Sequence, residues 1–298
     1  MSDPVLTVRK PCPRSGELGG VHTWLFHAAC CAVEAGMTDE QAIECIESLM
    51  TRAPNPASEI EDALRSARRE SRSAAIQWPH VNHKQIEAIA HDPRGILDLW
   101  ESWRHTTGTE SHTEEIIDRL FPGNPWLCVG KTNQAFCTRR REDWRGRLDA
   151  YSLIVPSPMT SATGLTKSGR TSFHTLANTG ARRFLIVEAD HGPLDQQAAV
   201  IWHLATLAPL AIVVFSGSKS LHGWFFCEET PEDKLLKFMR YAVSLGADKR
   251  MWLRSQFCRI PDGCRSDGKS SDALALCGWD GIPPGRQALL YFNPQVIQ

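Results

Sequence analysis

The segment Phe184-Leu-Ile-Val-Glu-Ala-Asp-His-Gly192 restricts this chain more than any other. A short run of apolar residues bounded by a glycine has the length of a buried strand rather than of a helix. That strand runs straight into two carboxylates. The two-residue period of a strand puts Glu188 and Asp190 on the same face. Paired carboxylates on a rigid strand can hold one or two divalent cations through hard oxygen ligands. A strand ending in a solvated acidic turn has the same sequence, so the motif needs company before it means chemistry.

Company arrives about 25 residues later. Ile212-Val-Val-Phe-Ser-Gly-Ser-Lys-Ser-Leu-His-Gly-Trp-Phe-Phe226 reads as strand, tight turn, strand. Its second strand puts Ser220, His222 and Trp224 on one face. The Gly-Ser turn offers backbone N–H groups, and Lys219, Ser220 and His222 add donors beside them, a composition suited to phosphate. Further on, Asp248 is a third carboxylate. A strand over 256–260 then carries Phe257 and Arg259 on one face, and Arg259 precedes a Pro-Asp-Gly turn, within reach of a triphosphate.

Around these pieces the chain alternates short β-rich runs at 126–129, 153–155, 184–187, 211–215, 221–226 and 289–292 with helical patterns at 113–120, 194–207 and 231–245. Strands, helices and hairpins mixed in this way predict an α+β domain with a mixed sheet over 113–298. Upstream, the apolar spacing is helical from residue 20 to 75, with Thr38 and Gln41 placed for a capping box. Residues 1–19 read as a leader. The stretch 76–112, punctuated by Pro79 and Pro93, reads as a linker, with Leu97, Trp100 and Trp103 inward on a short helix.

The 298 residues carry a formal net charge of -1, so nucleic-acid binding has to come from local patches. One patch is the run at 138–147, where Arg139, Arg140, Arg141 and Arg145 surround Trp144; it reads as a contact for backbone phosphate with a ring to stack a base. The polar loop at 163–170 borders the same groove. No apolar run is long enough to cross a bilayer, and the ten cysteines without a secretion signal predict a reducing, cytoplasmic setting. No zinc is expected, because the cysteine spacings do not suit a tetrahedral site. No P-loop is present, because Gly-Ser-Lys-Ser at 217–220 lacks the earlier glycine.

The order of the three pieces resembles the archaeo-eukaryotic primase superfamily, and most closely the primase-polymerase domains of mobile elements. The resemblance covers about 120–293. Val155-Pro-Ser-Pro-Met159 and Gly285-Arg-Gln-Ala-Leu-Leu-Tyr-Phe292 are similar to segments that flank the core in such proteins. It implies an RNA-recognition-like sheet, two divalent ions (Mg²⁺ or Mn²⁺) and template-directed nucleotidyl transfer. Glu188 and Asp190 match the first motif, with Glu188 standing where many members carry Asp. Ser220 and His222 match the second, Asp248 the third, and Arg259 the arginine after it. Glu188, Asp190 and Asp248 are thereby the metal ligands, and Lys219, Ser220, His222 and Arg259 the nucleotide contacts. The implied partners are a single-stranded DNA template, NTP or dNTP, and a separate replicative helicase; no membrane is involved. The helical module resembles primase-associated helical domains, which usually follow the core. Two other readings of the same residues are a two-metal nuclease and a non-catalytic replication-associated nucleic-acid-binding protein.

Overall fold

The computed structural model describes residues 12, 20–35, 37–72, 76–91, 94–102, 112–166, 168–265, 267, 269, 274 and 282–297. The expected leader, Cys12 apart, lies outside them, as does 103–111 of the expected linker. The chain forms two compact units, Met1–Gln77 and Trp78–Gln298.

In the first unit, helices α1 (Gly20–Glu34), α2 (Asp39–Leu49) and α3 (Glu59–Arg72) enclose Trp24, Leu25, Ala28, Ile46, Ile60 and Leu64. The capping box forms as the residues predict. Gln41 N–H donates to Thr38 Oγ1 at 3.3 Å, and Thr38 N–H donates to Gln41 Oε1 at 3.0 Å. Buried Glu59 is matched by Arg52 at 2.8 Å.

The second unit begins at Trp78, inside the stretch expected as a linker, so its helices belong to a folded unit rather than to a tether. Helices α4 (His83–Ala90) and α5 (Ile96–Glu101) are built into the unit. Asn82 caps α4, and Ile96 N–H donates to Asp195 Oδ1 at 3.0 Å. Ile96 and Leu99 are fully buried in the core, while Leu97, expected inward, is 53% exposed. Pro79 lies just ahead of α4, inside the second unit, rather than in a tether.

Beyond helix α6 (Thr113–Leu120) lie two four-stranded sheets. One has the order β2-β1-β3-β9, with β1 Trp126–Gly130, β2 Phe136–Arg140, β3 Leu153–Ile154 and β9 Cys258–Arg259. The one-turn helix α7 (Arg141–Trp144) follows β2, and a small hairpin of β4 (Gly164–Leu165) and β5 (Thr171–Ser172) stands apart. The second sheet has the order β10-β7-β8-β6, with β6 Phe184–Ala189, β7 Leu210–Phe215, β8 Leu221–Phe226 and β10 Leu289–Phe292. Helix α8 (Leu194–Ala205) connects β6 to β7, and α9 (Glu232–Ser244) follows β8.

The sheet was expected to be mixed, yet every ladder among the described residues is antiparallel. The reason is topological. The α8 crossover makes β6 and β7 run the same way, but β8 turns back between them, so the two never pair directly. One face of this sheet (Val187, Val213, Leu221, Phe225) packs on Ala198, Ile201 and Leu204 of α8. The other face (Ile186, Ile212, Val214, Trp224) shares a core with Leu127, Val129, Ile154 and Cys258 of the first sheet.

Candidate active site

Register carries the inter-sheet face out to its chemical end. Glu188 on β6 stands opposite His222 on β8, and His222 stands opposite Val214 on β7. Directly opposed residues share a face. Val214 belongs to the apolar core, so Glu188 and His222 continue that face to the point where aliphatic packing stops. There the two sheets part around a cavity of about 480 Å³, lined by Lys131, Ser152, Glu188, His222, Phe257 and Arg259 among others.

His222 is buried, with Nε2 3.3 Å from Ser220 Oγ and 3.7 Å from Glu188 Oε1. Its Nδ1 has no partner. Burial, reinforced by the charges of Arg259 and Arg265, pushes its pKa down to about 3, so the ring is neutral at neutral pH. Glu188 moves the other way. Burial raises its pKa first, and the charges of Asp248 and Asp190 add to that. The positive charges of Arg259 and Arg250 offset this only in part.

Asp248 reaches Glu188 through the backbone, its N–H donating to the Glu188 carbonyl at 3.1 Å. Its side chain caps the 3₁₀ turn Lys249–Trp252 and pairs with Arg250 at 2.7 Å. Partial burial opposes its charge, but hydrogen bonds from the Arg250 side chain and backbone hold the carboxyl below its ordinary range.

Asp190 departs from the expectation of a shared face. The ladder ends at Ala189, and Gly192, at a φ of +79°, turns the chain toward α8. Asp190 therefore lines a neighbouring groove of about 370 Å³ with His83, Glu87 and Gln197, and it pairs with Lys219 and His191 at 3.1 Å each. With Asp190 turned to Lys219 and Asp248 to Arg250, no three His, Cys, Asp or Glu side chains among the described residues are grouped to hold a metal ion.

The β7–β8 turn is closed by its flanking serines. Its Ser216 N–H donates to the Ser220 carbonyl at 2.8 Å and its Ser220 N–H to Ser216 Oγ at 3.0 Å, so these donors are spent inside the turn. Guanidinium groups come from the next strand and its turn. Arg259 donates to Ser152 Oγ at 2.8 Å, and burial, then Arg265, lowers its pKa. Arg265 is a residue the sequence reading passed over. Its guanidinium donates to the Ser216 carbonyl at 2.9 Å and pairs with Asp267. Gly217, at a φ of +77°, leaves only 3.0 Å between an added Cβ and Arg265 Cδ, so the turn lies close against this side chain. Gln197 was missed as well. This buried side chain donates to the Gly192 and Lys219 carbonyls and accepts from Leu221 N–H, each at 3.0 Å, tying the Asp190 loop to the turn before β8.

The basic run at 138–147 is largely corrected. Arg141 is fully buried between Glu114 at 2.6 Å and Asp118 at 2.8 Å. Trp144 is core, its Nε1–H donating to the Leu127 carbonyl at 3.1 Å, and cannot stack a base. Arg145 is held by Glu142 and Asp118. Arg139 and Arg140 remain exposed, lying over the rings of Trp144 and Trp126. No protein-family model, curated protein or solved structure matches this chain.

Proposed function

We propose that the chain is a metal-dependent nucleotidyltransferase, a DNA primase or primase-polymerase that makes or extends primers on single-stranded DNA. One observation carries this reading. Three segments far apart in sequence converge at one end of the inter-sheet cleft. Glu188 and His222 lie side by side on one face of the second sheet, Asp248 is joined to Glu188 by a backbone hydrogen bond, and Arg259 lines the same cavity from the first sheet, with Arg265 close enough for its charge to act on His222 and Arg259. Carboxylates beside a guanidinium-rich wall are the complement of a cation–polyphosphate pair. The finer fold reading, an archaeo-eukaryotic primase core, is supported by the β6–α8–β7 crossover with β8 between its strands.

Of the three expected donors Glu188 alone lines the cavity, while Asp190 faces Lys219 and Asp248 faces Arg250, so a divalent cation held by all three would require Asp190 and Asp248 to leave these pairings. Glu188, Asp190 and Asp248 are hard oxygen donors, and the burial that disfavours the Glu188 charge is offset by an added positive ion. Mg²⁺ or Mn²⁺ held there supplies charge neutralisation at the transferred phosphoryl group. Arg259, anchored on Ser152, offers its remaining donors to phosphate oxygens. Neutral His222 contacts phosphate as an uncharged donor, with its ring fixed by the surrounding core. Lys219 pairs with Asp190, and its ammonium would be a further donor for a phosphate oxygen if that carboxylate held a cation instead.

The test is incubation with single-stranded template, Mg²⁺ or Mn²⁺, and separate NTP and dNTP pools. Strand synthesis is expected, and Glu188→Ala or Asp190→Ala should cut it by about two orders of magnitude or more, since each removes several kcal/mol of charge stabilisation. Degradation of labelled strands without added nucleotide would make this a two-metal nuclease. Binding without either reaction would make it a non-catalytic nucleic-acid-binding protein.

A further inference from the structure

The cavity has a second end that the proposed chemistry does not use. Phe257 lines it, two residues along the extended chain from Arg259, about 6.6 Å at the rise of a strand. The Phe257 ring also packs against His174, with centroids 4.3 Å apart and planes at 37°, and against Phe136 at 5.6 Å. His174 and Phe136 meet edge to face at 5.3 Å, closing a three-ring cluster. The cluster is braced on both sides. The His174 Nε2 lies 2.5 Å from the Ser255 carbonyl oxygen, and Phe136 and Phe257 pack on buried Cys128, Val155 and Met159. Phe257 itself is only half-buried. The amides of Asn133, Gln134 and Gln256 line the same cavity.

A rigid, partly open aromatic ring with amides at its rim, placed one sugar's span from a phosphate-binding arginine, is built for a flat heteroaromatic group. Resting on the nucleotidyltransferase reading, we infer that Phe257, positioned by His174 and Phe136, is the platform on which the base of the incoming nucleotide stacks. Every base has a π face, so the platform adds affinity for all four without choosing among them.

The experiment is calorimetric titration of the full chain, in Mg²⁺, with ATP, GTP, CTP, UTP and inorganic tripolyphosphate. Phe257→Leu keeps an apolar side chain against Phe136 but removes the ring. It should weaken each nucleotide by about tenfold and leave tripolyphosphate unchanged. Phe257→Trp should retain nucleotide affinity. Wild-type nucleotide affinity in Phe257→Leu, or a parallel loss of tripolyphosphate, would overturn the platform while leaving the nucleotidyltransferase reading in place. A wild-type chain that binds neither nucleotide nor tripolyphosphate would overturn both.

Discussion

His174 is held against Phe257 with its Nε2 at the Ser255 carbonyl, and burial lowers its pKa below the ordinary 6.5. A depressed pKa means the unfolded chain takes up the proton first. The stability this ring contributes is complete above about pH 6.5 and is lost as the pH falls through the folded-state value. His174→Phe keeps an aromatic ring beside Phe257 and removes the titration. Its urea midpoint should therefore fall less steeply than wild type between pH 7.5 and pH 5. Equal slopes would show that His174 titrates alike in the folded and unfolded chain.

At the level of elements, α8 does more than cover the sheet. Through Gln197 it fixes the distance between the Asp190 loop and the Lys219 turn, two segments with no ladder between them. Gln197→Leu leaves the buried Leu221 N–H without its partner and releases the Gly192 and Lys219 carbonyls, which belong to exposed residues. It should cost about 1–3 kcal/mol, read from urea denaturation, and should loosen both loops. What the sequence disclosed at this scale follows from packing. β8 was legible to the residue, because Leu221-His-Gly-Trp-Phe-Phe226 is flanked by turn residues and buried on both faces. The opposition of Glu188 and His222 followed once β6 paired with β8. The fate of Asp190 was not legible, because period two holds only while the ladder lasts and nothing local states where it stops. Arg141 and Trp144 were misread because the partners that bury them, Glu114, Asp118 and Leu127, lie well upstream. A charged run shows its composition; whether it faces water is decided elsewhere in the chain. The linker was misread because Ile96 and Leu99 make too short a stripe to outweigh two prolines.

For the whole molecule, the division falls at Trp78 rather than near residue 113. A chain beginning at Trp78 keeps α4 and α5 and should fold with its cleft intact. A chain beginning at Thr113 uncovers the α8 side of the core. Losing the burial of Ile96 and Leu99 alone should cost roughly 3–6 kcal/mol, seen as a lower urea midpoint. Equal midpoints for the two truncations would show that α4 and α5 decorate the unit without supporting it. No helix among the described residues is long and apolar enough to cross a membrane.

The burial of Arg141 and the pairing of Arg145 also set how tightly counterions bear on any encounter with DNA. Five arginines in the 138–147 run, all facing phosphate, would make the logarithm of the single-strand binding constant fall against the logarithm of salt with a slope of about 3.5. With Arg141 and Arg145 committed to carboxylates, Arg139, Arg140 and Arg147 are left, and this surface should contribute a slope of about 2. Arg139→Gln with Arg140→Gln should lower the measured slope by about 1.4, whereas Arg145→Gln should leave it unchanged. A stretch that looks like a polycation is, in solution, a weak ion exchanger, which adds little affinity at low salt and has correspondingly little to lose as salt rises.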